Sequence, residues 1–209
     1  MGEIKNIIFD LGGVIINLDI PKTIAEFNKL SQRPFETVYT QLQQTPVFDL
    51  FDKGKISETD FFAGIKKELS PEITGTEMLF AWNAMLLDFP EQRLELLKRL
   101  KTKYRLFLLS NTNETHITEF EKQLFETRGY KNLELFFEKV YYSCRMGMRK
   151  PDQEIFDFVL TENNLKPEET IFIDDSPQHV EGALKTGIQA HFLSNGKEVE
   201  ELITALGLL

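Results

Sequence analysis

The chain has 209 residues and a formal charge of −9 at pH 7, with 42% hydrophobic and 27% charged residues. That length supports one sizeable core, or a core with a modest insertion, and the composition excludes disordered and fibrous classes. The acidic balance disfavours nonspecific nucleic-acid binding, and an anionic ligand would need local cations or a metal to overcome it.

In chain order, the first element is a strand at Asn6–Phe9, which delivers Asp10 into a Gly12-Gly13 turn. A long stretch follows that reads as helices only. Ile20, Ile24, Phe27 and Leu30 share one helix face, and Phe35, Val38 and Leu42 share another. "SETD" at Ser57–Asp60 is a candidate capping box ahead of Phe61, Phe62, Ile65 and Leu69, and a further helix holds Met78, Trp82 and Met85. After Pro90, Leu94, Leu97 and Leu100 mark a crossover helix into a second strand at Tyr104–Leu109. Further strands are expected at Lys139–Tyr142, Thr170–Ile173 and Gln189–Leu193. Helices separate most of them. One opens at Pro151 with Ile155, Phe156, Val159 and Leu160 inward, one runs from Asp175 to near Gly187, and the last covers about Lys197 to Leu206.

Near-continuous apolar runs alternating with helices predict a doubly wound parallel α/β sheet, Rossmann-like and covered on both faces. Residues 1–18 and 90–209 are expected to form this core, with residues 19–89 as a helical insertion. No repeat or low-complexity tract is present. Cys144 is the only cysteine, which suits a reducing compartment. No signal-peptide order opens the chain, and Asn6 stands where myristoylation needs Ser or Thr. The apolar run around Ile7–Leu18 is too short for a membrane span and carries Asp10. The expectation is a soluble cytoplasmic protein with no nucleic-acid or membrane partner; the sequence does not fix its oligomeric state.

Ligands of open parallel sheets bind beyond the carboxyl ends of the strands. Those ends here deliver Asp10, then Ser110 and Asn111 in "LLSNTN", then Lys150 in "SCRMGMRKPD", then Asp174 and Asp175 in "FIDDSP". This set suits phosphoryl transfer. Asp10 is a candidate nucleophile. Asp10 and Asp175, with a backbone carbonyl from the turn, offer hard oxygen ligands for Mg²⁺. Ser110 and nearby N–H groups could hold phosphate oxygens, and Lys150 would balance the crowded negative charge.

"FDLGGVI", "LLSNTN", "MRKPD" and "FIDDSP" in that order resemble the four motifs of the haloacid dehalogenase (HAD) superfamily. The helical stretch after the first motif resembles the cap of its first subclass, and the wording is closest to bacterial glucose-1-phosphatase-like members. The resemblance spans essentially the whole chain. It implies a Mg²⁺-dependent phosphatase acting on a small phosphorylated metabolite, a sugar phosphate favoured, through an aspartyl-phosphate. By position it implies Asp10 as nucleophile, Ser110 as the phosphate-binding hydroxyl, Asn111 beside it helping to orient the nucleophile or substrate, and Lys150 as the third-motif lysine. Asp175 and Asp174 would hold the metal, to which Gly12 offers only a backbone carbonyl.

Most phosphatases of this superfamily carry Asp where this chain has Gly12, as general acid and then general base. Three accounts are open: a good leaving group or another proton donor, a 2-haloacid dehalogenase, or a noncatalytic binding protein on the same fold. "IDDS" keeps a metal site, which tells against dehalogenation. His116 and Asp19 are candidate donors, although His116 reads more simply as a surface residue and Asp19 as a helix N-cap. Arg145 and Arg149 read as solvated, Phe48, Phe51 and Trp82 as core of the insertion, and Cys144 as a buried structural thiol.

Overall fold

A computed structural model describes residues 3–31, 34–37, 39, 46–69 and 72–209. Val38 and Leu42, read above as helix-face residues, lie outside the described residues. The apolar runs form strands β1 (Asn6–Phe9), β2 (Arg105–Ser110), β3 (Lys139–Tyr142), β4 (Thr170–Asp174) and β5 (Gln189–Phe192). They pair in parallel in the order β3-β2-β1-β4-β5. β1 is therefore central, and the order reverses beside it, where parallel α/β sheets open a crevice for ligands. Phe9 pairs with Leu108 on one side and Ile173 on the other, so the ends of β1, β2 and β4 lie level.

The helices are α1 (Ile20–Leu30), α2 (Pro46–Asp52), α3 (Glu58–Glu68), α4 (Gly75–Asn83), α5 (Glu91–Lys101) and α6 (Glu114–Arg128). After them come α7 (Ser143–Met146), α8 (Gln153–Glu162), α9 (Pro177–Leu184) and α10 (Val199–Ala205). Because strand side chains alternate in direction, the sheet has two buried faces. Ile7, Phe9, Leu106, Leu108, Ile171 and Ile173 pack with α5, α6 and α10 through Leu97, Phe120 and Ile203. Ile8, Phe107, Leu109 and Phe172 face Ile155, Phe156 and Val159 of α8 and Ala183 of α9. Each such aromatic or aliphatic side chain contributes about 1.5–3 kcal/mol on burial.

Helices α1 to α4 lie between β1 and α5, as the sequence indicates. They pack around an aromatic cluster in which Phe48 and Phe61 meet edge to face at 5.2 Å, and Phe51 and Phe61 stack at 4.0 Å. Both chain crossings into this region are tied together. Asp19 N–H donates to Met85 O at 2.9 Å, Asn17 N–H to Asp88 O at 2.9 Å, and Leu87 N–H to Asn17 O at 3.0 Å.

Several local expectations change. β5 is half-exposed because it is an edge strand, and Lys139 on the opposite edge is exposed. Pro151 precedes α8 rather than opening it, and its peptide bond with Lys150 is cis. Asp19 occupies the N-cap position of α1 but makes no side-chain cap bond. Ser57 does cap α3 by accepting from Asp60 N–H, but the capping box closed from both sides is Thr74–Glu77 at α4. Among the described residues, no helix is long and apolar enough to cross a membrane.

Candidate active site at the carboxyl edge of the sheet

Each strand end contributes to one cluster. Asp10 N–H donates to Ile173 O at 2.9 Å, which fixes the first residue past β1 against β4. Lys150 is fully buried, and its Nζ donates to Asp10 Oδ1 at 2.6 Å and to Asp174 Oδ2 at 2.6 Å. Asn111 holds that lysine in place: its Oδ1 accepts from Lys150 N–H at 2.9 Å and its Nδ2 donates to Lys150 O at 2.8 Å. The Asn111 amide thus bonds both backbone groups of Lys150. Asp174 Oδ1 also accepts from Ser176 N–H at 2.8 Å, and His179 Nδ1 lies 3.0 Å away. Ser110 ends β2 and, like Asn111, lines the same cavity as Asp10 and Asp175.

The charges are crowded. Oxygens of Asp10, Asp174 and Asp175 come within 4.8 Å of one another. Burial raises the Asp10 carboxyl above its usual range, with Lys150 opposing and Asp174 reinforcing the rise. Burial works against the Asp174 charge too, but Lys150 and His179 outweigh it and hold that carboxyl at about 2. Asp175 is pushed up to about 7 by burial and by the charges of Asp10 and Asp174. Burial disfavours the Lys150 charge, and the two carboxylates more than restore it. One ammonium facing three carboxylates leaves negative charge over, and hard oxygen donors this close suit a small divalent cation such as Mg²⁺. The donor set fits that ion.

The turn after Asp10 is built to a close tolerance. Gly13 has φ +69°, and a Cβ there would stand 2.2 Å from Asp175 Oδ2, so only glycine lets the loop pass that carboxylate. A Cβ on Gly12 would meet Leu18 Cδ1 at 2.6 Å. Where the superfamily resemblance implies an acid, a leucine methyl fills the space.

A cavity of about 330 Å³ opens over Asp10. Ser110, Asn111, Asp175, Gln178 and His179 line it from the strand ends, and Tyr39, Asp49, Asp52, Trp82 and Met85 from the helical insertion. His116 is not a surface residue. It stacks on Trp82 at 4.8 Å, its Nε2–H donates to Trp82 O at 3.2 Å, and burial brings its pKa down to about 4. Arg149 is not solvated either: its Nη1 lies 3.2 Å from Asp49 Oδ1 and 3.7 Å from Asp52 Oδ2. Arg145 is half-exposed and pairs with Glu114 at 2.7 Å. Phe48 and Phe51 pack inside the insertion, whereas Trp82 both packs there and lines the cavity, its Nε1–H without a partner among the described residues. Cys144 is half-buried, and burial with Glu114 nearby pushes its thiol up to about 12, which leaves it unreactive.

Sequence reasoning missed Asp49, Asp52, Tyr39 and His179. For His179 a signal existed, since the first turn of a helix beginning at Pro177 returns toward the strand end at Asp174. For the others none did, because residues of the insertion carry no mark of which strand end they will face.

A profile for haloacid dehalogenase-like hydrolases matches residues 4–187. The chain belongs to this family of hydrolases. It is 30% identical over 203 residues to the D-ribitol-5-phosphate phosphatase of Bacteroides thetaiotaomicron, covering 97% of this chain and 98% of that one. It is 25% identical over 209 residues to the phosphorylated carbohydrates phosphatase of Thermotoga maritima, covering 93% and 89%. A HAD-family enzyme of Bacteroides thetaiotaomicron, an Asp-to-Ala variant solved with magnesium and inorganic phosphate, superposes with a TM-score of 0.89 at 36% identity. That match covers 96% of this chain and 98% of the other.

Proposed function

We propose that this enzyme, a Mg²⁺-dependent phosphoric monoester hydrolase, removes phosphate from a small sugar or polyol phosphate through an aspartyl-phosphate on Asp10. The observation that carries the reading is the buried Lys150, bridging Asp10 and Asp174 beside a third carboxylate, Asp175. A nucleophilic carboxylate in a dry site must be held against its own tendency to protonate, and Lys150 supplies the compensating charge. Asp10, Asp174, Asp175 and the Gly12 carbonyl would hold Mg²⁺. When bound, the ion screens the anionic nucleophile from the anionic phosphate and draws charge from the phosphoryl oxygens.

Asp10 then attacks phosphorus, the bond to the leaving oxygen breaks, and water later releases phosphate from Asp10. Ser110 holds a phosphate oxygen. Asn111 acts by positioning Lys150. Residues 19–89 serve as a cap on the core of residues 1–18 and 90–209, excluding water during the first step and admitting it for the second. The sugar preference is supported by the names of the two phosphatase relatives and by a cavity sized for a small metabolite. The single half-buried thiol suits a reducing compartment such as the cytoplasm.

The test is phosphate release from ribitol 5-phosphate, glucose 1-phosphate, glucose 6-phosphate, an acyl phosphate and p-nitrophenyl phosphate, with Mg²⁺ and with EDTA. Mg²⁺-dependent turnover is expected. No turnover on any of them overturns the reading, and chloride release from 2-chloropropionate would replace it with dehalogenation.

A further inference from the structure

We propose that Asp52, at the end of α2 in the insertion, is the acid–base group that the turn after Asp10 lacks. The inference rests on the phosphatase reading above. It starts from a deficit: the Gly12 position holds no side chain, and Leu18 occupies the space one would enter. The two donors considered from sequence fail on geometry. His116 also lines the cavity, but its ring stacks on Trp82 and its Nε2–H is taken by Trp82 O, and Asp19 is not among the residues that line the cavity. His179 lines it, but its Nδ1 is engaged by Asp174.

Asp52 lines the cavity that opens over Asp10. Its side chain is 14% exposed, and Arg149 lies 3.7 Å away. The segment that carries it is docked on the core at three points. Lys53 bridges Asp49 at 3.5 Å and Asp152 at 3.2 Å, and Arg149 reaches back to Asp49. Gly54, with φ +62°, passes so close to α7 that a Cβ would stand 2.0 Å from Cys144 O. In this closed arrangement these contacts hold Asp52 against the core loops that flank Lys150.

The charged and titratable groups around Asp52 are Arg149, Asp49 and His179, with Tyr39 and Cys144 also within its field. Burial outweighs Arg149 and brings the carboxyl up to about 6. Both protonation states are therefore accessible near neutrality, as a group that first gives and then takes a proton requires. Its partner Asp49 is 45% exposed and paired with Lys53, a poorer environment for a neutral acid.

The step balances. As Asp10 Oδ bonds to phosphorus and the phosphorus–oxygen bond of the ester breaks, the leaving oxygen takes the Asp52 proton and departs as the alcohol. Asp52, now a carboxylate, takes a proton from the water that attacks the aspartyl-phosphate. Phosphate leaves, and Asp10 returns as carboxylate with Asp52 protonated.

The experiment compares wild type, Asp52→Asn and Asp52→Glu on phosphate monoesters that differ in leaving-group acidity, from ribitol 5-phosphate to p-nitrophenyl phosphate. Asp52→Asn is expected to lose about 10²–10⁴-fold in kcat/KM on the alkyl ester, the usual worth of acid–base help, and less than about tenfold in kcat/KM on the nitrophenyl ester, while kcat falls on both where release of phosphate from Asp10 limits turnover. Asp52→Glu should recover part of the alkyl activity. An equal loss of kcat/KM on every ester, or no loss, overturns the proposal while leaving the phosphatase reading intact. Wild type inactive on all esters overturns both. Should Asp52→Asn not fold, the wild-type pH profile decides. A fall in kcat/KM as pH rises through about 6 on the alkyl ester, absent on the nitrophenyl ester, supports Asp52; identical profiles overturn it.

Discussion

The Cδ1 methyl of Leu18 stands 2.6 Å from the place a Cβ on Gly12 would occupy. The two residues form one device: the turn after the nucleophile gives up its side chain, and Leu18, the last core residue before the insertion, fills the volume from the other side, where it bridges to Leu86. Gly12→Asp alone is therefore expected to overpack the site and cost about 1–3 kcal/mol. Gly12→Asp with Leu18→Ala should recover much of that loss. Urea unfolding of both variants measures it, and equal stability of the single variant and wild type would show that Leu18 yields freely.

Lys150 is buried between two carboxylates at 2.6 Å each. Lys150→Met removes the ammonium and leaves both uncompensated, so the expected loss is about 3–5 kcal/mol together with loss of turnover. A variant as stable as wild type in chemical denaturation would mean that the lysine charge is not what makes these acids tolerable.

Gly13 and Asp175 make a second close contact. Gly13→Ala would force its methyl onto Asp175 Oδ2 from a left-handed backbone conformation that costs alanine about 1–2 kcal/mol. If Asp175 holds Mg²⁺, the ion should raise the wild-type Tm, by the equivalent of about 3 kcal/mol at roughly a hundred times its Kd. That rise should shrink in Gly13→Ala and nearly vanish in Asp175→Ala. Differential scanning fluorimetry with and without Mg²⁺ reads all three, and an undiminished shift in Asp175→Ala would remove that residue from the metal set.

His116 predicts a pH dependence of stability. Burial lowers its folded pKa from 6.5 to about 4, so on acidification the unfolded chain takes up the proton first. The stability contributed by the neutral ring is fully present above pH 6.5 and is lost as pH falls toward 4. At about 1.36 kcal/mol per unit, the stability difference between wild type and His116→Gln should fall by about 3 kcal/mol across that window. Urea titrations at pH 7, 6, 5 and 4 test the sign, and a difference independent of pH would contradict it.

The strand ends were legible because a carboxylate or hydroxyl closing an apolar run stands out against its neighbours. Asp10, Ser110, Asp174 and Asp175 stand out that way, whereas Lys150, eight residues past the end of β3, was legible only through the motif "MRKPD"; parallel pairing beside β1 then gathers them at one edge. Asp52 carries no such mark. In "FDLFDKGK" its helix period shows only that Phe48 and Phe51 turn inward, and its place over the cavity depends on Gly54 meeting Cys144 far along the chain. His116 misled for the opposite reason. A polar residue in a helix's first turn ordinarily faces water, but here α4 brings Trp82 against it. Edge exposure of β5 was equally hidden, since a run's composition does not say whether a neighbour will cover it.

The central claim is that Asp10 carries the phosphoryl group during turnover. The most direct measurement is to quench the enzyme in acid during steady-state turnover of a sugar phosphate with Mg²⁺, digest it, and locate added phosphate by mass spectrometry. The account predicts a phosphorylated peptide containing Asp10, absent in Asp10→Asn and in EDTA. Rapid Mg²⁺-dependent phosphate release by Asp10→Asn would contradict it.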